Sequence, residues 1–227
     1  MSLLRAFIAV EIPLALREAV CNATAPLQKD IGSAVRWVPM ENMHLTLKFL
    51  GDVSPANVEM LSQMLRAEAD LFECFDLRLS GLGSFPNLKR PRVLYVGIQA
   101  PATLEALQRT INAASRRLGY ESEERGFSPH LTIGRVRQTI TPTEQQTVRR
   151  VLESARIDSL GTARVDSVHL YKSDLKPTGS VYARLYSAPF KKYRHCEEGW
   201  WLSRRCLSAI WKPSPTTLAP ARNVGVT

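Results

Sequence analysis

Two histidines head the same short pattern in this 227-residue chain, HLTLKFLG at 44–51 and HLTIG at 130–134, 86 residues apart, although the chain holds only four histidines. In an extended strand side chains alternate between faces, so each imidazole shares a face with the threonine two residues on, Thr46 or Thr132, about 7 Å along the backbone. One small ligand can touch both groups. Threonine offers an uncharged hydroxyl donor, and an imidazole near its ordinary pKa of about 6.5 takes either protonation state near neutrality. Two such imidazoles on opposite sides of a phosphorus can divide the work, one taking a proton from water while the other gives one to the departing alkoxide. Two hydroxyls between them would hold the non-bridging oxygens, where charge persists throughout the reaction. The other two histidines read as ordinary polar residues: His169 fills space between apolar neighbours in SVHLYKS, and His195 lies in the tail.

Other chemistries fit poorly. There is no HExxH, no third histidine at a compatible spacing, and Asp52 is the one carboxylate on the exit of a motif strand, so no metal and no cofactor is expected. Cys21, Cys74, Cys196 and Cys206 show no CxxC spacing and suggest neither a zinc knuckle nor a disulfide framework. No GxSxG marks a serine nucleophile, and GLGSF at 81–85 lacks the GxxxxGK of a nucleotide-triphosphate loop.

The elements that must position the two motifs repeat in order. LLRAFIAVEI reads as a buried strand, Pro13 opens a helix interrupted near Pro26, VRWVPMENMHLTLKFLG carries the first motif in a strand, SPANVEMLSQMLRAEA is an amphipathic helix with Ser54 as cap and Pro55 at its first position, and FDLRLSGLGSF alternates as a half-buried strand. The second half follows suit. PRVLYVGI is a strand, TLEALQRTINAASRRLG a helix ended by Gly119, FSPHLTIGRVR the second motif strand, and TPTEQQTVRRVLESA a helix opening on a Thr141–Glu144 capping box. ARVDSVHLYKSDL and SVYARLYSAPF close the pattern as strands around the turn KPTG.

Phe7 precedes His44 by 37 residues, and Val93 precedes His130 by the same 37. That self-similarity predicts an α+β, bilobal, pseudo-two-fold fold: two antiparallel sheets flanked by helices, with both motif strands facing a central groove. Residues 1–190 are expected to form one bilobal domain with pseudo-repeats at about 3–85 and 92–190, and residues 191–227 an atypical, loosely ordered extension. That extension holds seven Lys or Arg against two Glu, so +5 of the formal +9 charge lies there and the body carries +4. A mildly basic body suits short anionic substrates or RNA ends better than a long duplex. With no run near 18 apolar residues and an N-terminus that reads as a strand, the chain is expected to be a cytoplasmic monomer without a membrane span.

Beyond the motifs themselves, LRAFIAVEIP, RWVPMENMHLTLKFLG, LRLSGLGSFPNLKRPRVLYVGI, HLTIGRV and LYKSDLKPTGSVYARL together resemble the two-histidine phosphoesterase superfamily over about residues 3–190. More narrowly they resemble its bacterial and archaeal RNA 2′,3′-cyclic phosphodiesterases, also called 2′-5′ RNA ligases. The resemblance implies a metal-independent enzyme that opens the 2′,3′-cyclic phosphate of an RNA end to a 2′-phosphomonoester. Members of that group also join ends through a 2′-5′ bond, since a 5′-hydroxyl can replace water at the same phosphorus, so the resemblance leaves room for ligation as well. By position it implies His44 and His130 as catalytic residues, with His44 the acid and His130 the base, and Thr46 and Thr132 as phosphate ligands. The near-copy halves leave the opposite assignment of acid and base open on sequence grounds.

The resemblance also places basic side chains at Lys48 and Arg135. Strand alternation puts Lys48 on the face of His44 and Thr46, but turns Arg135 away from His130 unless Gly134 permits a bulge. Phe7, Trp37 and Tyr171 are candidates to stack on a base at the groove mouth, against a core or helix-sheet interface home for Phe7 and Trp37. Two other functions use the same residues: a cyclic phosphodiesterase acting on small nucleotides, and a nucleotide- or RNA-binding module without turnover. Two proton-transfer groups are superfluous to the second.

Overall fold

A computed structural model describes residues 2–121, 126–176 and 179–191; His195, Cys196, Cys206 and the expected loose extension from residue 192 on, as well as the middle of the KPTG turn, lie outside the described residues. The chain begins with β1 (Leu4–Glu11), whose residues 6–10 are buried in an unbroken run, as expected of an interior strand covered on both sides. Helix α1 (Leu14–Ile31) buries Leu16, Val20, Thr24, Leu27 and Ile31, a stripe at helical spacing, and stops at Gly32, whose φ of 63° suits glycine. It runs through Pro26 instead of breaking there. Pro26 and Asn22 are both exposed, so the carbonyl that loses its helical donor faces water.

The stretch read as one motif strand is two: β2 (Val35–Trp37) and β3 (His44–Val53), separated by a turn at 40–42. A single 3-10 turn at 55–57 precedes α2 (Val58–Ala69), and Ser54 makes no side-chain cap bond there. Then follow β4 (Phe75–Phe85), β5 (Val93–Gln99), α3 (Ala102–Arg117), β6 (His130–Val136) and α4 (Pro142–Ser154), which begins with the anticipated capping box between Thr141 and Glu144. ARVDSVHLYKSDL is likewise two strands, β7 (Gly161–Val165) and β8 (Ser167–Lys176), divided at Asp166; β9 (Gly179–Pro189) returns along β8.

The strands form two antiparallel sheets, a four-stranded one in the order β3-β1-β8-β9 and a five-stranded one in the order β2-β6-β5-β4-β7. Each motif strand pairs with the strand that opens its own half, β3 with β1 and β6 with β5. The halves then trade partners: β4 of the first half pairs with β5, and β8 of the second half pairs with β1. Helices follow the exchange, since α2 rests on β8 and β9 beside α3, and α1 packs on α4, β2 and β7. The repeat in element order is therefore not a pair of contiguous lobes. Asp166 divides β7 from β8 because the chain leaves one sheet there for the other. No helix among the described residues is long and apolar enough to cross a membrane.

Candidate functional site

A bulge shapes each motif strand. Ile8 and Ala9 of β1 oppose Lys48 and Thr46, so Leu47 has no partner; Leu94 and Tyr95 of β5 oppose Gly134 and Thr132, so Ile133 has none. An extra residue at the same place, three after each histidine, reverses the alternation beyond it. His44 and Thr46 keep a common face, as do His130 and Thr132, while the residues five after each histidine, Phe49 and Arg135, rejoin that face. The residues between, Lys48 and Gly134, turn to the other side of their sheets.

This bulge corrects the expectation for Lys48. The side chain lies outside the groove, 0% exposed, and its amine donates a hydrogen bond to the Glu121 carbonyl. It enables the conditional expectation for Arg135, which lines the groove. Gly134 is held small by its neighbours: a Cβ there would lie 2.6 Å from Val35 Cγ1 and 3.2 Å from Trp37 Cε3. Trp37 opposes Gly134 on that side and packs against the core, so it is not among the residues facing the groove.

His44, Thr46, His130 and Thr132 line one groove of roughly 530 Å³, and β3 approaches β6 across it. The two imidazoles are held alike. Nδ1 of His44 bonds the Asn42 carbonyl at 2.8 Å, and Nδ1 of His130 bonds the Ser128 carbonyl at 2.7 Å. A carbonyl can only accept, so each Nδ1 carries the proton and each Nε2 is the nitrogen that exchanges one with a ligand. Asn42 is itself fixed, its side-chain amide donating to the Ser180 carbonyl at 2.8 Å and so tying β9 to the first motif.

Their surroundings differ. Phe7, 3% exposed, stacks on His44 with ring centroids 4.7 Å apart and on Tyr171 at 5.3 Å, and Tyr182 meets the His44 ring edge-on at 5.2 Å. Burial in this aromatic stack pushes the His44 pKa from 6.5 down to about 4, against a smaller upward pull from its bond to Asn42. His130 meets Phe85 edge-on at 4.9 Å and Tyr95 at 5.4 Å. Of the aromatic candidates, then, Phe7 reaches the groove as the floor under His44, and Tyr171 backs Phe7 without facing the groove. His169 is 4% exposed, with Nδ1 2.9 Å from the Ser187 hydroxyl and Nε2 3.3 Å from the Ser167 hydroxyl, as an ordinary packed histidine should be.

Arg5 and Arg135 line the groove, and no Asp or Glu does among the described residues, a lining whose charge suits an anion. No group of three His, Cys, Asp or Glu capable of holding a metal occurs among the described residues. Sequence reading missed Arg5, Asn42, Phe49 and Tyr182. Parity hid Phe49, because its exposure to the groove depends on the bulge; Tyr182 arrives from β9, nearly 140 residues along the chain from His44.

Residues 15–177 match the model of the 2′-5′ RNA ligase superfamily. Among curated proteins the chain is similar to the RNA 2′,3′-cyclic phosphodiesterase of Methanothermobacter thermautotrophicus, 33% identical over 78% of this chain and 94% of that one. It is also similar to the RNA 2′,3′-cyclic phosphodiesterase of Thermotoga maritima, 31% identical over 83% and 96%. Among solved structures it is similar to E. coli LigT complexed with 3′-AMP, with a TM-score of 0.64 and 26% identity over 83% of this chain and 99% of that one.

Proposed function

The chain belongs to the 2′-5′ RNA ligase superfamily, and from that premise we propose that it hydrolyses RNA 2′,3′-cyclic phosphate ends to 2′-phosphomonoesters by metal-independent, paired-histidine acid-base catalysis. The observation that carries this reading is the matched presentation of two imidazoles, each with Nδ1–H on a carbonyl and Nε2 left for a ligand, in one groove with two threonines and two arginines. A pocket that only bound nucleotides would have no need for two such groups.

In the reaction one Nε2 takes a proton from water as its oxygen bonds to phosphorus. The bond from phosphorus to the 3′-oxygen breaks, and the other Nε2–H protonates that oxygen, leaving a 3′-hydroxyl and a 2′-phosphate. Both exchanges occur at Nε2, so the Nδ1–H bonds to Asn42 and Ser128 persist and neither ring must turn. The Thr46 and Thr132 hydroxyls donate to the non-bridging oxygens, and Arg5 and Arg135 keep the groove positive. A 5′-hydroxyl in the place of water gives a 2′-5′ joined product by the same proton transfers.

The family resemblance makes His44 the acid. The burial of His44 favours a second reading, in which this imidazole, uncharged at neutral pH, takes the proton from water and His130 donates. A substrate whose 3′-bridging oxygen is replaced by sulfur separates the two, because a thiolate leaves without protonation. Whichever of His44→Ala and His130→Ala recovers rate on that substrate has lost the acid.

The function itself is tested by incubating the purified chain, in excess chelator, with an RNA oligonucleotide ending in a 2′,3′-cyclic phosphate and following the terminal phosphorus by NMR. Conversion to a 2′-phosphomonoester is expected. A 3′-phosphate product, or activity that vanishes with chelator and returns with one divalent ion, would overturn the mechanism.

A further inference from the structure

One transverse row of the five-stranded sheet leads out of the groove. Phe85 opposes Val93, Val93 opposes Arg135, and Arg135 opposes Arg36 on the edge strand β2. Residues directly opposite across antiparallel strands share a face. Phe85, Val93 and Arg135 line the groove, so Arg36 continues the same face to the open edge of the sheet. Both arginines are exposed, and among the described residues neither makes an ion pair or a side-chain hydrogen bond. Two like charges set directly opposite repel one another and weaken the pairing of a short edge strand unless an anion lies between them. Gly179 at the start of β9 leaves the second arginine room, since a Cβ there would lie 3.1 Å from Arg36 Nη2.

We propose that Arg36, paired with Arg135, binds a backbone phosphate of the RNA strand that precedes the cyclic end, and that this contact makes the enzyme prefer oligonucleotides to mononucleotides. The proposal rests on the phosphodiesterase reading above. A mononucleotide brings one phosphate, which the histidines and threonines engage; an oligonucleotide brings a second, and two guanidiniums on one sheet face form a fork for it. The row leaves the groove at β2, beyond which the five-stranded sheet has no further strand among the described residues, with the start of β9 at Gly179 alongside.

The test compares kcat/KM for a 2′,3′-cyclic mononucleotide and for a trinucleotide ending in the same cyclic nucleotide, in the wild type, Arg36→Gln and Arg36→Lys, at two salt concentrations. Arg36→Gln is expected to lower the trinucleotide value about tenfold more than the mononucleotide value, chiefly through KM. It should reduce the salt slope on the trinucleotide by about one, with Arg36→Lys recovering part of the loss. Melting of Arg36→Gln without nucleic acid should come no lower than that of the wild type, because a repulsion has been removed. Equal losses on both substrates, or no loss on either, overturn the proposal. Should the wild type turn over neither substrate, the phosphodiesterase reading falls, and binding of a 2′-phosphorylated trinucleotide still decides the question: about tenfold weaker binding to Arg36→Gln supports the contact, and equal binding overturns it.

Discussion

His44 is a titratable group placed where its charged form is disfavoured, between Phe7, Tyr182 and the strand that carries it. Its pKa of about 4 in the folded chain, against 6.5 when exposed, means that the unfolded chain binds the extra proton between those values. Stability is therefore at its full value above about pH 6.5 and falls as pH drops toward 4, by about 3 kcal/mol for this one group. Denaturant unfolding at pH 7 and pH 4 should show His44→Phe losing less stability on acidification than the wild type; an equal loss would place the acid sensitivity elsewhere. In the proposed mechanism the threonines act differently, each supplying one hydroxyl to the phosphate and no proton. Thr46→Val or Thr132→Val should reduce turnover by about tenfold to a hundredfold, less than removal of either imidazole, in single-turnover assays with saturating substrate. The four motif residues were legible in the sequence because two-residue spacing fixes a common face without knowledge of the rest of the strand. Lys48 and Phe49 were not legible, because one unpaired residue, Leu47, exchanges their faces.

At the scale of elements, the bulged motif strand and its neighbour set the groove. Gly134 allows β2 to lie close on β6, with Val35 and Trp37 packed over its bare Cα. Gly134→Ala is expected to cost about 1–3 kcal/mol, since a Cβ 2.6 Å from Val35 forces a packed edge to shift. Because β2 carries Arg36, the variant should also weaken binding of an oligonucleotide. Thermal melting and anisotropy titration check the two effects, and an unchanged melting temperature would mean that β2 yields freely. Helices and their limits were largely readable: the Thr141 capping box stands where its residues place it, and the apolar stripes of α2 and α3 face their sheets. The errors arose where one apolar run serves two sheets. Nothing local in VRWVPMENMHLTL or ARVDSVHLYKSDL states that the chain crosses between sheets at the turn near 40–42 or at Asp166, because both pieces are apolar enough to be strands in either.

At the scale of the whole chain, the exchange of β4 and β8 between sheets means that neither half contains the partners its strands require. Separate fragments 2–90 and 91–191 should each fail to give the dispersed amide spectrum of a folded domain, and a folded spectrum from either alone would contradict the exchanged topology. The duplicated order of elements was visible in the sequence; the exchange was not, since β8 meets β1 across 160 or more residues, which leaves no local mark, although its other half, β4 with β5, joins chain neighbours. That exchange is also what interlocks the two halves around one groove, with His44 at the edge of one sheet and His130 next to the edge of the other. The claim that both imidazoles act on one phosphate is tested most directly by single-turnover hydrolysis of an RNA oligonucleotide with a 2′,3′-cyclic end by His44→Ala, His130→Ala and the double variant, each shown to be folded. Each single variant is expected to lose about 100-fold or more, and the double variant to be less impaired than the product of the two, because removing either partner already breaks the paired transfer. A near wild-type rate from either single variant would contradict the claim.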